Sequence, residues 1–105
     1  MTMKYEILKD QSIEVLGVKL FRIRRKDTGE LGGFLEKEEN LSQAGQAWVY
    51  GQAQVSGQAR VSGEAQVYGE AQVSGQAWVS GQAWVYGEAQ VSGQARVSGQ
   101  ARVSG

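Results

Sequence analysis

Cysteine and histidine are both missing from this 105-residue chain. Without cysteine there is no disulfide framework, no thiol nucleophile and no thiolate metal site. Without histidine the usual general base and the usual zinc ligand are gone as well. Net charge is also missing, since 11 Lys and Arg balance 11 Asp and Glu, so nothing in the composition demands nucleic acid or an anionic membrane as a partner. No apolar run approaches the length of a transmembrane helix, and Met1-Thr2-Met3-Lys4-Tyr5-Glu6 reaches charge before an apolar signal-peptide core can form. The expectation is a cytoplasmic protein of one domain at most, too short to bury a large conventional core.

What the chain has instead is a repeat. From Gly45 the unit Gly-Gln/Glu-Ala-x-Val-Ser/Tyr recurs ten times without a slip, and every third unit ends in tyrosine, at Tyr50, Tyr68 and Tyr86. A flexible Gly/Ser/Gln linker would not place a β-branched residue at every sixth position. In Ala-x-Val the alanine and valine point to one side and the middle residue to the other, as a strand requires. Eleven of the 15 glycines fall at the unit boundaries, where a coil must turn through backbone angles that glycine tolerates. Six residues make a side and three sides make a coil, so the pattern predicts a three-sided β-solenoid of about four coils. One buried valine and one alanine cannot offset the entropy of ordering six residues, so the units have to stack.

Composition changes near residue 44, because the repeat carries only Arg60, Arg96, Arg102, Glu64, Glu70 and Glu88 of the 22 charges. Residues 1–32 are expected to form an N-terminal β-hairpin cap and 33–105 the solenoid. Lys4 to Leu8 reads as a short strand, and Ser12 to Val15, Leu16-Gly17 and Val18 to Arg24 as a hairpin in which Val15 faces Val18 and Ile13 faces Leu20. Its apolar face is expected to pack on the open first turn of the coil. Cutting the chain every eighteen residues from Gly33 makes 33–50 a degenerate first block, with Leu35 and Leu41 at alanine positions and Lys37 and Gln43 at valine positions. The basic run Arg22-Ile23-Arg24-Arg25-Lys26 reads as a solvated strand edge paired with Glu36, Glu38 and Glu39. No C-terminal cap is evident after Val103, so either another subunit or molecule covers that end or Arg96 and Arg102 discourage edge pairing.

Stacking sorts the outward positions into columns. One holds Trp48, Gln66, Trp84 and Arg102, with Tyr50, Tyr68, Tyr86 and Ser104 beside it; the second holds Gln54, Gln72 and Gln90; the third holds Arg60, Trp78 and Arg96. With coils about 4.8 Å apart, Arg60 and Arg96 flank Trp78 at a distance suited to cation–π contact. The aromatic columns either stabilise the stack or, if half exposed, offer on the order of 400 Å² of apolar surface for self-association or a partner protein. Stacked aromatics also suit sugar rings or bases, but no aligned acid pair or strong basic groove accompanies them. Glu70 and Glu88 stack in one column with Gln52, where like charges repel modestly or hold a cation weakly. The serine columns suggest an ice-binding face, against which the large glutamines between them argue.

The unit Val-Ser-Gly-Gln-Ala-Arg at Val55 to Arg60 resembles the hexapeptide repeat of left-handed parallel β-helix proteins, many of them trimeric acyltransferases and some zinc carbonic anhydrases. The resemblance implies a single-stranded left-handed parallel β-helix. It carries over no chemistry, because the histidines of those enzymes have no counterpart here and no inserted loop interrupts the hexads to build an acyl-carrier pocket. Nearly the whole chain is similar to bacterial and prophage hexapeptide-repeat proteins labelled transferase-like or polymer-forming, through Lys4-Tyr5-Glu6-Ile7-Leu8, Ile13-Glu14-Val15-Leu16-Gly17, Leu20-Phe21-Arg22-Ile23-Arg24, Leu31 to Ser42 and Ala47-Trp48-Val49-Tyr50. That implies a phage or mobile-element setting. Those proteins often place Asn or Asp after the turn glycine where this chain has Gln or Glu, so here the glycines should take the strained corner.

The sequence therefore predicts an all-β solenoid that acts without catalysis or cofactor as a structural or protein-binding module. Its interaction face is expected at Trp48, Tyr50, Tyr68, Trp84 and Tyr86, with Trp78 adjacent. The partner is expected to be a protein or further copies of the chain, as a trimer or end to end, with no membrane and no evident nucleic acid. The alternatives are an acyltransferase-like protein lacking its histidine and a carbohydrate- or ice-binding solenoid.

Overall fold

The computed structural model describes residues 4–15, 17–43 and 45–104. Three long strands come first, β1 (Tyr5–Val15), β2 (Val18–Arg25) and β3 (Leu31–Leu35), followed by a 3-10 turn at Glu38–Asn40. Ten short strands follow: β4 (Trp48–Val49), β5 (Gln54–Val55), β6 (Arg60–Val61), β7 (Gln66–Val67), β8 (Gln72–Val73), β9 (Trp78–Val79), β10 (Trp84–Tyr86), β11 (Gln90–Val91), β12 (Arg96–Val97) and β13 (Arg102–Ser104). They form a β-solenoid of about four turns whose three sheets run β3-β5-β8-β11, β4-β7-β10-β13 and β6-β9-β12.

Each strand from β4 to β10 pairs in parallel with the strand eighteen residues on, so Gln54, Gln72 and Gln90 align, as do Arg60, Trp78 and Arg96, and Trp48, Gln66, Trp84 and Arg102. Backbone hydrogen bonds join the turns, for example from the Gln54 N–H to the Ala71 carbonyl (2.9 Å) and from the Tyr68 N–H to the Val85 carbonyl (2.9 Å). Ala47 to Ala89 and Val49 to Val97 of the repeat fill a dry interior. On the last described turn Ala95 and Ala101 are exposed and Val103 half-buried, with no further described turn stacked on them.

The corners need glycine for two separate reasons. The glycines from Gly45 to Gly99 have φ between +56° and +76°, a region costly for residues with a Cβ. At Gly75 a Cβ would also lie only 2.8 Å from the Gly93 nitrogen one turn up. The corner strain thus falls on the glycines, as the Gln and Glu beside them require.

The first turn departs from the eighteen-residue frame. Leu35 pairs with Val55, a spacing of twenty, whereas Val55 pairs with Val73, a spacing of eighteen. Leu41 bridges to Val61, again at twenty. Leu35 and Leu41 therefore occupy valine positions, not the alanine positions that regular cutting assigns, and Lys37 and Gln43 are not valine counterparts. The extra length lies between Leu41 and Val49, in the corner that receives the cap. Gly33 takes the place beneath Ala53: a Cβ there would lie 2.5 Å from the Ala53 carbonyl oxygen and 2.7 Å from Val49 Cγ1.

The hairpin has the expected register, with Val15 opposite Val18 and Ile13 opposite Leu20; Leu16 lies outside the described residues. The segment expected as a strand from Lys4 to Leu8 is not separate: Tyr5 to Leu8 form the far part of β1, which pairs with the same β2 across an irregularity between Leu8 and Ser12. The cap joins the solenoid through hydrogen bonding as well as packing: β3 runs antiparallel to β2 and parallel to β5, so β1, β2 and β3 extend one solenoid sheet. The end that packs against the coil carries Tyr5 and Ile23, both fully buried in the common core, while Ile13, Val15 and Val18 remain half-buried.

Polar contacts fasten this junction. The Gln43 side-chain oxygen accepts from the Lys4 and Tyr5 N–H groups (2.7 and 3.2 Å), and the Lys4 ammonium donates to the Ala47 and Gly45 carbonyls (2.7 and 3.3 Å). The Tyr5 hydroxyl lies 2.5 Å from the Leu41 carbonyl oxygen and 2.9 Å from that of Glu38, and shares its proton between them. Burial, then the charges of Glu38 and Glu39, push the Tyr5 phenol above its ordinary value of 10.0. Burial, then Arg25, pulls Lys4 below its ordinary 10.5. A raised tyrosine contributes stability that is complete below the unfolded value of 10.0 and lost as pH rises beyond it, whereas a lowered lysine acts in the opposite sense. Comparing wild type with Tyr5→Phe isolates the tyrosine, because Lys4 is common to both. The gap between their urea midpoints is expected to narrow above about pH 10; a gap independent of pH would refute the assignment.

The basic run is paired, but not with the expected acids. Arg24 bonds Glu6 (2.6 Å) and Arg25 meets Glu30 (3.2 Å). Arg22 donates to the Gly32 carbonyl (2.9 Å) and covers the Phe34 ring at 4.5 Å. Glu36 instead accepts the Gly57 N–H at 2.6 Å.

Candidate binding surface

The sequence-predicted interaction residues separate into three environments. Trp48 is fully buried and is no part of any surface. It occupies the outward column as expected, but the cap closes over it: the Tyr5 ring meets it edge-on at 6.0 Å, the Arg25 guanidinium lies 4.2 Å above its face, and Gly32 approaches so closely that a Cβ would sit 2.7 Å from Cζ2. Its indole N–H has no hydrogen-bond partner.

Tyr50, Tyr68, Trp84 and Tyr86 are half-buried and satisfy one another. Tyr68 is the hub, edge-on to Tyr50 and Trp84 at 6.2 Å each and stacked on Tyr86 at 5.2 Å with an interplanar angle of 8°. Arg102 covers Trp84 at 4.8 Å. Much of this column's apolar area is therefore spent inside the stack, as cross-strand pairs spend it in any sheet.

Trp78 differs. It is 46% exposed, the one large aromatic among the described residues left so open. It sits in the middle strand of β6-β9-β12, with Arg60 on one side and Arg96 on the other; the Arg96 guanidinium is 5.1 Å from its ring centre. The ion pairs among the described residues involve neither arginine.

Two concavities meet at this tryptophan. A cleft of about 1200 Å³ lies between the cap and the second turn, with Tyr5, Ile7 and Phe21 on the cap wall, Leu41 and Val61 on the coil wall and Glu36, Glu38 and Glu39 on its rim. An open trough of about 910 Å³ runs on along the rod past Arg60, Trp78 and Arg96, edged by Gln58, Gln76 and Gln94. Lys37, Glu39, Arg60 and Trp78 line both. The glutamines form an amide ladder, Gln76 Nε2 donating to Gln58 Oε1 (3.3 Å) and Gln94 Nε2 to Gln76 Oε1 (3.4 Å).

The sequence places Arg60, Trp78 and Arg96 in one column correctly, but it does not reveal the cleft, which requires the fold of the cap, or the ladder, whose only signal is glutamine recurring after Gly57, Gly75 and Gly93. Among the described residues no three acidic side chains converge as a metal site would need, and no helix is long and apolar enough to cross a membrane. No protein-family model matches the chain, and no curated protein matches it.

Proposed function

We propose that this protein is a non-catalytic binding module in which the solenoid serves as a rigid frame and Trp78 as the principal contact. One observation carries the reading: an indole left open on a parallel sheet at the meeting point of two concavities, between two arginines that form no ion pair among the described residues. Strands pinned on both sides by turn-to-turn hydrogen bonds lose little freedom when a ligand settles on them, so contacts made there convert efficiently into affinity. The chemistry present suits recognition, with an aromatic face, cations and amides. The half-buried tyrosine side, given over to internal stacking, serves mainly to stiffen the rod.

The competing role for Trp78 is stabilisation of the stack, and stability measurements separate the two. Trp78→Ser is expected to change unfolding free energy by no more than about 0.5 kcal/mol, as surface substitutions do. Tyr68→Ser removes three ring contacts of about 0.5–1.5 kcal/mol each and is expected to cost roughly 2–4 kcal/mol. Urea titrations of both variants decide it: equal losses would make Trp78 a structural residue and remove the basis for this reading.

A further inference from the structure

We propose that the trough along Arg60, Trp78 and Arg96 binds a linear acidic glycan, a chain bearing a carboxylate on alternate sugars and lying parallel to the solenoid axis. The inference rests on the binding-module reading above and specifies its ligand. Three features of the trough select this chemistry.

The first is the order of groups along the axis. Cation, indole and cation stand on three successive strands, and the strands repeat at about 4.8 Å, so the backbone positions of the two arginines are about twice that distance apart, with the Arg96 guanidinium leaning to 5.1 Å from the indole centre. A sugar chain extended along the rod advances by a comparable step per ring. Acid, neutral and acid residues then meet arginine, tryptophan and arginine in turn, with the axial C–H groups of the neutral ring packed on the part of the exposed indole that Arg96 leaves open.

The second is the amide ladder. Each bond of the ladder uses one N–H and one oxygen lone pair, leaving every glutamine with a donor and an acceptor to spare. Sugar hydroxyls both donate and accept, and so engage both; phosphate oxygens only accept and would leave the carbonyl side unpaired.

The third is charge. Lys37, Arg60 and Arg96 face a single carboxylate, Glu39, in the trough, although the chain as a whole is neutral. Local positive charge on a neutral protein attracts an anion to this strip and not to the molecule at large.

Titration calorimetry at low ionic strength tests the proposal, using a hexasaccharide of alternating glucuronate and N-acetylhexosamine, a neutral β-linked glucose hexamer, and oligothymidylate. The alternating acid is expected to bind, with quenching of indole fluorescence, and at least tenfold more tightly than either control. Trp78→Ser is expected to weaken it at least tenfold, and Arg60→Gln and Arg96→Gln about fivefold each. Absence of binding by the hexasaccharide, equal binding of oligothymidylate, or indifference to the arginine substitutions each overturns the proposal. If Trp78→Ser keeps full stability while the hexasaccharide fails to bind, the glycan inference falls alone; if Trp78→Ser unfolds the rod, the binding-module reading falls with it.

Discussion

Trp48→Gln is expected to cost about 3–5 kcal/mol, close to the loss for Trp48→Ala. Periodicity alone gives the opposite answer, because glutamine is what the same column carries one turn up at Gln66. The difference lies in the cap. At Gln66 the outward side chain is half-buried on the solenoid flank, whereas at Trp48 the outward side chain is sealed beneath Tyr5, Arg25 and Gly32. Glutamine would leave a void beside a glycine that cannot move in to fill it, remove the indole from under the Arg25 guanidinium, and bury an amide where even the indole N–H finds no partner. The loss should begin at the junction. Amide hydrogen exchange is expected to accelerate first at Lys4 and Tyr5, whose N–H groups are held by Gln43, before the turns beyond β7 respond. A loss under about 1 kcal/mol would place Trp48 at the periphery, as a surface substitution would.

The contrast between Trp48 and Trp78 shows where sequence reading succeeds. From Gly51 on, each residue has an equivalent eighteen positions away, so strand register, inward alanine and valine, corner glycines and outward columns all follow from one period and agree with one another. Column membership says which way a side chain points but not what lies over it. Trp48, Trp78 and Trp84 all point outward, and their exposure differs because a cap covers one, a tyrosine hub and Arg102 partly cover another, and only Trp78 is left open. The cover over Trp48 comes from residues 1–43, where no repeat exists to average over. The same absence hides the longer first turn. Leu35 and Leu41 look like large residues in alanine places if the eighteen-residue frame is carried back, and become ordinary valine counterparts once the spacing of twenty is known. The paired acids of the basic run were equally illegible, since Glu6 reaches Arg24 only through the β1–β2 register.

Asn40→Leu is the second substitution expected to have a large effect, about 3–5 kcal/mol, from three buried partners at roughly 1–3 kcal/mol each with some relief by water. Asn40 is the one fully buried polar side chain among the described residues. Its amide nitrogen donates to the Ala59 carbonyl (2.8 Å) and the Gly57 carbonyl (3.3 Å), and its oxygen accepts the Lys37 N–H (2.9 Å). One turn higher the equivalent carbonyls, Gly75 and Ala77, receive backbone N–H groups from Gln58 and Arg60. The first turn cannot supply those donors because the 3-10 turn at Glu38–Asn40 takes the chain off the strand path, so a single side-chain amide replaces two backbone groups. Leucine has the same branching but no donor, so its loss combines the missing hydrogen bonds with the fit of two bulkier methyl groups. Asn40→Asp keeps the acceptor for Lys37 but sets carboxylate oxygens against two carbonyls; it is expected to be at least as damaging near neutral pH and to recover in part on acidification, when the protonated acid can donate again. Urea midpoints across pH, read for all three side chains, test the account: an Asn40→Leu variant within about 1 kcal/mol of wild type would show that water serves these carbonyls as well as the amide does.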